Sequence, residues 1–126
     1  MQRILITGGC GFIGSNFILK QIRMGQNTVL NLDKLTYAGN IENLATISNE
    51  PNYQFVKGDI SNAVLVTKTI FRFQPDIIVH FAAESHVDRS IETPMDFIHT
   101  NILGTATILK AALEYWQRLK DKETDT

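Results

Sequence analysis

Cysteine is nearly absent from this chain of 126 residues: Cys10 is the single one. An internal disulfide is thereby excluded, and the usage fits a reducing compartment. No charge of one sign predominates. Twelve Lys and Arg stand against thirteen Asp and Glu, a net charge of −1, which excludes a domain that binds nucleic acid by charge alone. No apolar run approaches the roughly 18 residues of a membrane span, and there is no internal repeat. The N-terminus, MQRILITGGCGF, carries one positive charge and then turns to glycine, so no signal peptide is expected and cytoplasm is the expected compartment. His86 and His99 have no metal-ligand spacing with each other or with Cys10, so no metal is expected.

What remains is a globular composition, 44% hydrophobic and 20% charged, at the length of about one domain. Arg3–Thr7 is a short apolar run ending at glycines and reads as a buried parallel strand. Ile13, Phe17, Ile18 and Ile22 form a helical stripe that Gly25 ends. Strands are expected at Thr28–Asp33, Tyr53–Lys57 and Ile77–Phe81, and a short helix at Ile41–Ile47. Ser61 is a plausible N-cap for a helix through Phe73. Residues 82–92 read as loop or short helix. Thr93-Pro94 starts a last helix toward Leu119, and the polar tail from Arg118 to Thr126 is expected to fray. Strand and helix alternate throughout. This pattern predicts a Rossmann-type doubly wound α/β domain, a parallel sheet of about four strands in the order 3-2-1-4, with a ligand crevice between strands one and four.

The segment Thr7-Gly8-Gly9-Cys10-Gly11-Phe12-Ile13-Gly14 joins the first strand to the first helix. A dinucleotide pyrophosphate binds at such a turn, because glycine lets the backbone approach phosphate and the helix N-terminus offers free N–H groups. Two registers fit, Gly9/Gly11/Gly14 and Gly8/Gly11/Gly14. A ligand-free glycine turn is the alternative, but an acid at the expected distance weighs against it. Asp33 ends the second strand 19 residues after Gly14, where about 20 is usual for an acid that accepts from ribose hydroxyls. That carboxylate favours NAD over NADP, while Lys34 beside it could accommodate a 2′-phosphate. Asp59, with Ile60, follows the third strand, where it could meet an adenine or simply serve the turn. His80, within an apolar strand, reads as a hydrogen-bonded core histidine. Cys10 fills a position that needs a small residue and is not expected to be a nucleophile. The polar stretch Ala82-Ala-Glu-Ser-His-Val-Asp-Arg-Ser90 follows a central strand, the place for a substrate-edge loop.

TGGCGFIG at 7–14, NLDKLTYAGN at 31–40, GDI at 58–60, HFAAESHVDRSI at 80–91 and TNILGT at 100–105 together resemble the extended short-chain dehydrogenase/reductases, and within them the dTDP-glucose 4,6-dehydratases. The resemblance implies NAD contacts at Phe12 and Ile13, at Asp33, Lys34, Leu35 and Thr36, at Asp59 and Ile60, at Phe81, Ala82, Ala83 and Ser85, and at Thr100, beside the glycines Gly8, Gly11 and Gly14. It implies that Ser85 also touches the sugar and that Asn101 lies near the catalytic machinery. The reaction it implies stores a hydride on tightly held NAD. The C4 hydroxyl of the sugar is oxidised, water leaves across C5–C6, and the hydride returns to C6.

The family's YxxxK pair has no match: four residues after Tyr115 stands Leu119. No catalytic residue is therefore assigned, and Glu84, His86 and Asp88 gain no proton-transfer role from the resemblance. The expectation is an incomplete NAD-binding domain over 1–119 and a polar tail over 120–126, without a substrate-binding domain. A homodimer is implied for the complete enzyme, with part of the last helix (Ile108, Leu109, Leu113, Trp116) on its surface. The open edge of the fourth strand is a further liability for self-association. Two alternatives remain open: a stand-alone dinucleotide-binding module, and part of another nucleotide-sugar epimerase or dehydratase.

Overall fold

The computed structural model describes residues 1–35, 41–81, 95 and 99–124. Four parallel strands, β1 (Arg3–Thr7), β2 (Thr28–Asp33), β3 (Tyr53–Lys57) and β4 (Ile77–His80), form one sheet in the order β3-β2-β1-β4. The expected strand order is therefore observed. The register sets Thr7 beside both Leu32 and His80, and Asp33 beside Lys57. The strands thus finish together at one edge, and between β1 and β4 the order of crossovers reverses.

Period-two alternation divides the strand residues between two cores. Ile4, Ile6 and Val29 pack with Ile18 and Ile22 of α1 (Phe12–Met24) and with Leu44 and Ile47 of the 3-10 helix Ile41–Ile47. Leu5, Leu30 and Leu32 pack on the other face with Val66, Ile70 and Phe73 of α2 (Ala63–Phe73) and with Ile108 and Ala111 of α3 (Thr105–Thr124). Each such aliphatic side chain contributes about 1.5–3 kcal/mol when fully buried. Helix α1 ends at Gly25, whose φ of 69° and N–H bond to the Ile22 carbonyl make a left-handed cap.

Four expectations need correction. The N-cap of α2 is Asn62, whose side chain accepts from the Leu65 N–H at 3.2 Å. Ser61 instead precedes the cap, and its N–H and hydroxyl both donate to Asp59 Oδ1. Phe81 lies just past β4, although its N–H still donates to the Thr7 carbonyl. The polar tail does not fray at Arg118: α3 continues to Thr124, and the Arg118 guanidinium lies over the Phe71 ring while the Lys120 ammonium lies over Trp116. A π-helical segment, His99–Gly104, precedes α3 where a regular helix is expected from the sequence. The helix start at Thr93-Pro94 lies outside the described residues.

Candidate functional site

Residues 8–14 turn the chain from β1 into α1 at the C-terminal edge of the sheet. Gly8 has a φ of 72°, which residues with a Cβ rarely adopt. A Cβ on Gly14 would lie 2.5 Å from the Gly8 carbonyl oxygen and 2.9 Å from the Gly9 Cα. Helix and turn therefore touch backbone to backbone. A Cβ on Gly9 would lie 2.3 Å from both Asn31 Oδ1 and Ile18 Cδ1. Gly11 differs. Its φ of −74° and ψ of 175° suit any residue, and an added Cβ would meet nothing nearer than the Gly8 oxygen at 3.5 Å. Backbone conformation and packing account for glycine at 8, 9 and 14, but not at 11.

Gly11 is also the N-cap of α1. It has no side chain to accept from the first-turn N–H groups, and that turn contains no acidic residue. Phe12 and Ile13, 81% and 68% exposed, flank this uncapped start. A helix start without an anion of its own attracts one. Room at Gly11 and an unneutralised helix start fit the pyrophosphate of a dinucleotide.

Asp33 is buried at the end of β2, with 7% of its surface exposed. Its Oδ2 accepts from the Cys10 N–H at 2.8 Å and its Oδ1 from the Leu35 N–H at 2.7 Å. The carboxylate thus ties the glycine turn to the turn that follows β2. Leu35 takes a φ of 59° there, a strained conformation of the kind that concentrates at binding sites. Lys34 Nζ lies 3.4 Å from Asp59 Oδ2, so this cation already faces a carboxylate across the strand ends. Asp59 Oδ1 accepts from the Ser61 N–H and hydroxyl. Burial pushes the Asp59 pKa up, but the Ser61 hydrogen bonds and Lys34 outweigh it and hold the carboxyl below its ordinary value. The Ile60 side chain, 5% exposed, belongs to the core on the α2/α3 face.

Beneath the turn lies a polar cluster. Asn31, fully buried, accepts from the Gly9 N–H at 2.9 Å and donates to Tyr53 Oη at 3.2 Å and Cys10 Sγ at 3.5 Å. Asn43 donates to the Cys10 carbonyl at 3.0 Å. Burial first, and then the Asp33 carboxylate, push the Cys10 thiol up to about 12, so the sulfur stays protonated and is no nucleophile. His80 sits with Nδ1 2.6 Å from Thr7 Oγ1 and Nε2 2.9 Å from Thr105 Oγ1. Burial lowers its pKa, so the imidazole is neutral at pH 7. The reading of His80 as a hydrogen-bonded histidine agrees with this.

The structure therefore brings together Gly8, Gly11, Phe12, Ile13, Gly14, Asp33 and Leu35, with Lys34 and Asp59 paired alongside. Phe81 stands at the β4 end, its ring 5.7 Å from that of Phe17 on α1. Thr100 and Asn101 lie in the π-helical segment. Thr36, Ala82, Ala83 and Ser85 lie outside the described residues, as do Glu84, His86 and Asp88. Sequence reasoning missed Asn31, Asn43, Tyr53 and Thr105. A lone amide in the apolar run of β2 was the available signal for Asn31; nothing in the sequence pairs Thr105 with His80. Among the described residues no group of His, Cys, Asp and Glu could hold a metal, and no helix is long and apolar enough to cross a membrane.

Residues 5–124 match a family model described as GDP-mannose 4,6 dehydratase. The chain belongs to this family. Within the dehydratase family it is 51% identical, over 125 residues, to the dTDP-glucose 4,6-dehydratase of Xanthomonas campestris pv. campestris (strain B100), covering 99% of this chain and 35% of that protein. Among solved structures, the dTDP-glucose 4,6-dehydratase DesIV of Streptomyces venezuelae, with NAD bound, matches at a TM-score of 0.84 and 46% identity, covering 90% of this chain and 36% of that one. The UDP-glucose 4-epimerase of Thermotoga maritima matches at a TM-score of 0.79 and 31% identity, covering 90% and 34%. The chain spans about a third of the length of the relatives it matches.

Proposed function

We propose that this chain is the NAD-binding part of a dTDP-glucose 4,6-dehydratase, a lyase whose substrate is dTDP-glucose. The observation that carries the reading is Gly11, a glycine that neither packing nor backbone conformation requires, at the uncapped start of α1. The higher identity to dehydratases, 51% and 46% against 31% for the epimerase, favours dehydration over epimerisation.

When bound, NAD would take a hydride from the sugar and return it later in the same turnover. The residues of this chain bind and orient. The first-turn N–H groups of α1 receive the pyrophosphate, and the room at Gly11 lets it reach them. Asp33 spends one lone pair of each oxygen on the turn backbone and keeps others for the adenosine ribose hydroxyls. Asp59 would meet the exocyclic amine of adenine, and by its match to the family motif Ser85 would touch the sugar.

Calorimetric titration with NAD and NADP, on the wild type and Asp33→Asn, tests the assignment. The wild type is expected to bind NAD more tightly than NADP. Asp33→Asn should narrow that difference, because it removes the charge that repels a 2′-phosphate. Equal affinities in all four combinations would refute it.

A further inference from the structure

The two consecutive N–H groups at the centre of the glycine turn face away from the place a ligand would occupy. Gly9 donates to Asn31 and Cys10 donates to Asp33. Asn31 and Asp33 stand two apart on β2, so their side chains leave the same face of the strand. We propose that Asn31 is a positioning residue: with Asp33 it clamps the glycine turn from behind and so holds the first-turn N–H groups of α1 toward the pyrophosphate. The inference deepens the NAD-binding reading and rests on it.

The orientation of the Asn31 amide follows from its partners. Only Oδ1 can accept the Gly9 N–H, and Nδ2 is then directed at Tyr53 Oη and Cys10 Sγ. The amide is fully buried, and among the described residues no buried side-chain nitrogen or oxygen lacks a partner. An aliphatic side chain at 31 would strand the Gly9 N–H inside the protein, a cost the turn can escape only by moving. The same contact explains the second glycine of the pair. Oδ1 comes so close that a Cβ on residue 9 would lie 2.3 Å from it. Gly9 is thus small for the sake of Asn31 and Ile18 together, whereas Gly11 is small for the sake of a ligand.

The test combines residue-resolved amide hydrogen exchange with NAD titration on the full chain. In the free wild type the Gly9 and Cys10 amides should be protected and the Phe12 and Ile13 amides should exchange fast. NAD should slow the latter pair and leave the former unchanged. Asn31→Leu should speed exchange at Gly9 and weaken NAD binding by about tenfold, the scale of one lost hydrogen bond. The control is Val66→Ala, a core change on the opposite face, which should lower stability and leave affinity within about twofold, since distant sites act independently. Should Asn31→Leu not fold, Tyr53→Phe, which removes a single partner of the amide, should still speed Gly9 exchange.

Two results would overturn the proposal: a Gly9 amide as fast as that of Phe12 in the wild type, or an affinity loss in Asn31→Leu no larger than in the control. A wild type that does not bind NAD refutes the function above; the clamp is then judged by Gly9 exchange in the free chain.

Discussion

On the face covered by α1, β2 contributes Val29, Asn31 and Asp33; on the face covered by α2 and α3 it contributes Leu30 and Leu32. One strand thus supplies two different interiors. The α1 side holds a buried amide, a buried carboxylate, a phenol and a thiol around the glycine turn. The opposite side is aliphatic at its centre. Among the described residues its buried hydroxyls are Thr69, turned back onto the Leu65 carbonyl of its own helix, and Thr7, at the edge beside His80. Buried polar atoms destabilise unless every one is matched, so their concentration under one turn marks where the chain needs a fixed backbone geometry rather than mere cohesion.

The largest expected effect concerns chemistry. If the α1 side serves cofactor binding, the α2/α3 side should contribute no proton transfer. Its tyrosine, Tyr115, packs edge-on against Phe71 with ring centroids 5.5 Å apart, and burial raises its pKa. Positioned acid–base groups contribute roughly 10²–10⁴ each. The 126-residue chain with NAD and dTDP-glucose should therefore form no 4-keto-6-deoxy sugar above a no-enzyme control. Alkaline absorbance of a keto sugar would break the division.

Next in size is Leu30→Ala on the aliphatic side. It should cost about 2–5 kcal/mol of stability, read from denaturant unfolding, with NAD affinity unchanged at temperatures where the variant is folded. A fall in affinity parallel to the loss of stability would show that the two faces are not separate.

A smaller effect belongs to the edge where both faces meet, at the Thr7–His80–Thr105 chain of hydrogen bonds. Burial holds the folded imidazole below the value of about 6.5 found in unfolded chains. Above pH ~6.5 both states are neutral and the contribution is fully present. As pH falls further the unfolded state takes up the proton first, so stability declines until the folded imidazole also protonates. The midpoint of unfolding should drop between pH 7.5 and pH 5.5, and His80→Gln should flatten that drop. An unchanged slope in the variant would contradict the assignment.

β1, β2 and β3 were legible to the residue: apolar side chains dominate β1 and β2, as central parallel strands require, and Pro51 and Gly58 flank β3. Alternation of elements then made the strand order legible. Contacts between distant residues were not. Ser61 looks like a cap until the Asn62 side chain is seen to accept from the Leu65 N–H. A charged tail looks frayed until Arg118 finds Phe71. The glycine turn reads as one motif, yet its glycines serve different ends: conformation at Gly8, close packing at Gly9 and Gly14, and open space at Gly11. Spacing alone does not distinguish them; the atoms that a Cβ would meet do.

The most direct test of the cradle is Gly11→Ala, melted and titrated with NAD beside the wild type. The new methyl group has ordinary contact with the Gly8 oxygen and an unstrained backbone, so the variant should fold, with the melting temperature lowered by no more than the few degrees that alanine costs in place of glycine at an N-cap. If that space takes the pyrophosphate, as proposed, the methyl group would fill it and NAD affinity should fall by at least about tenfold, the loss of a hydrogen-bond-scale contact. A variant that binds NAD as tightly as the wild type would contradict a ligand cradle and leave the glycine-rich segment as a turn alone.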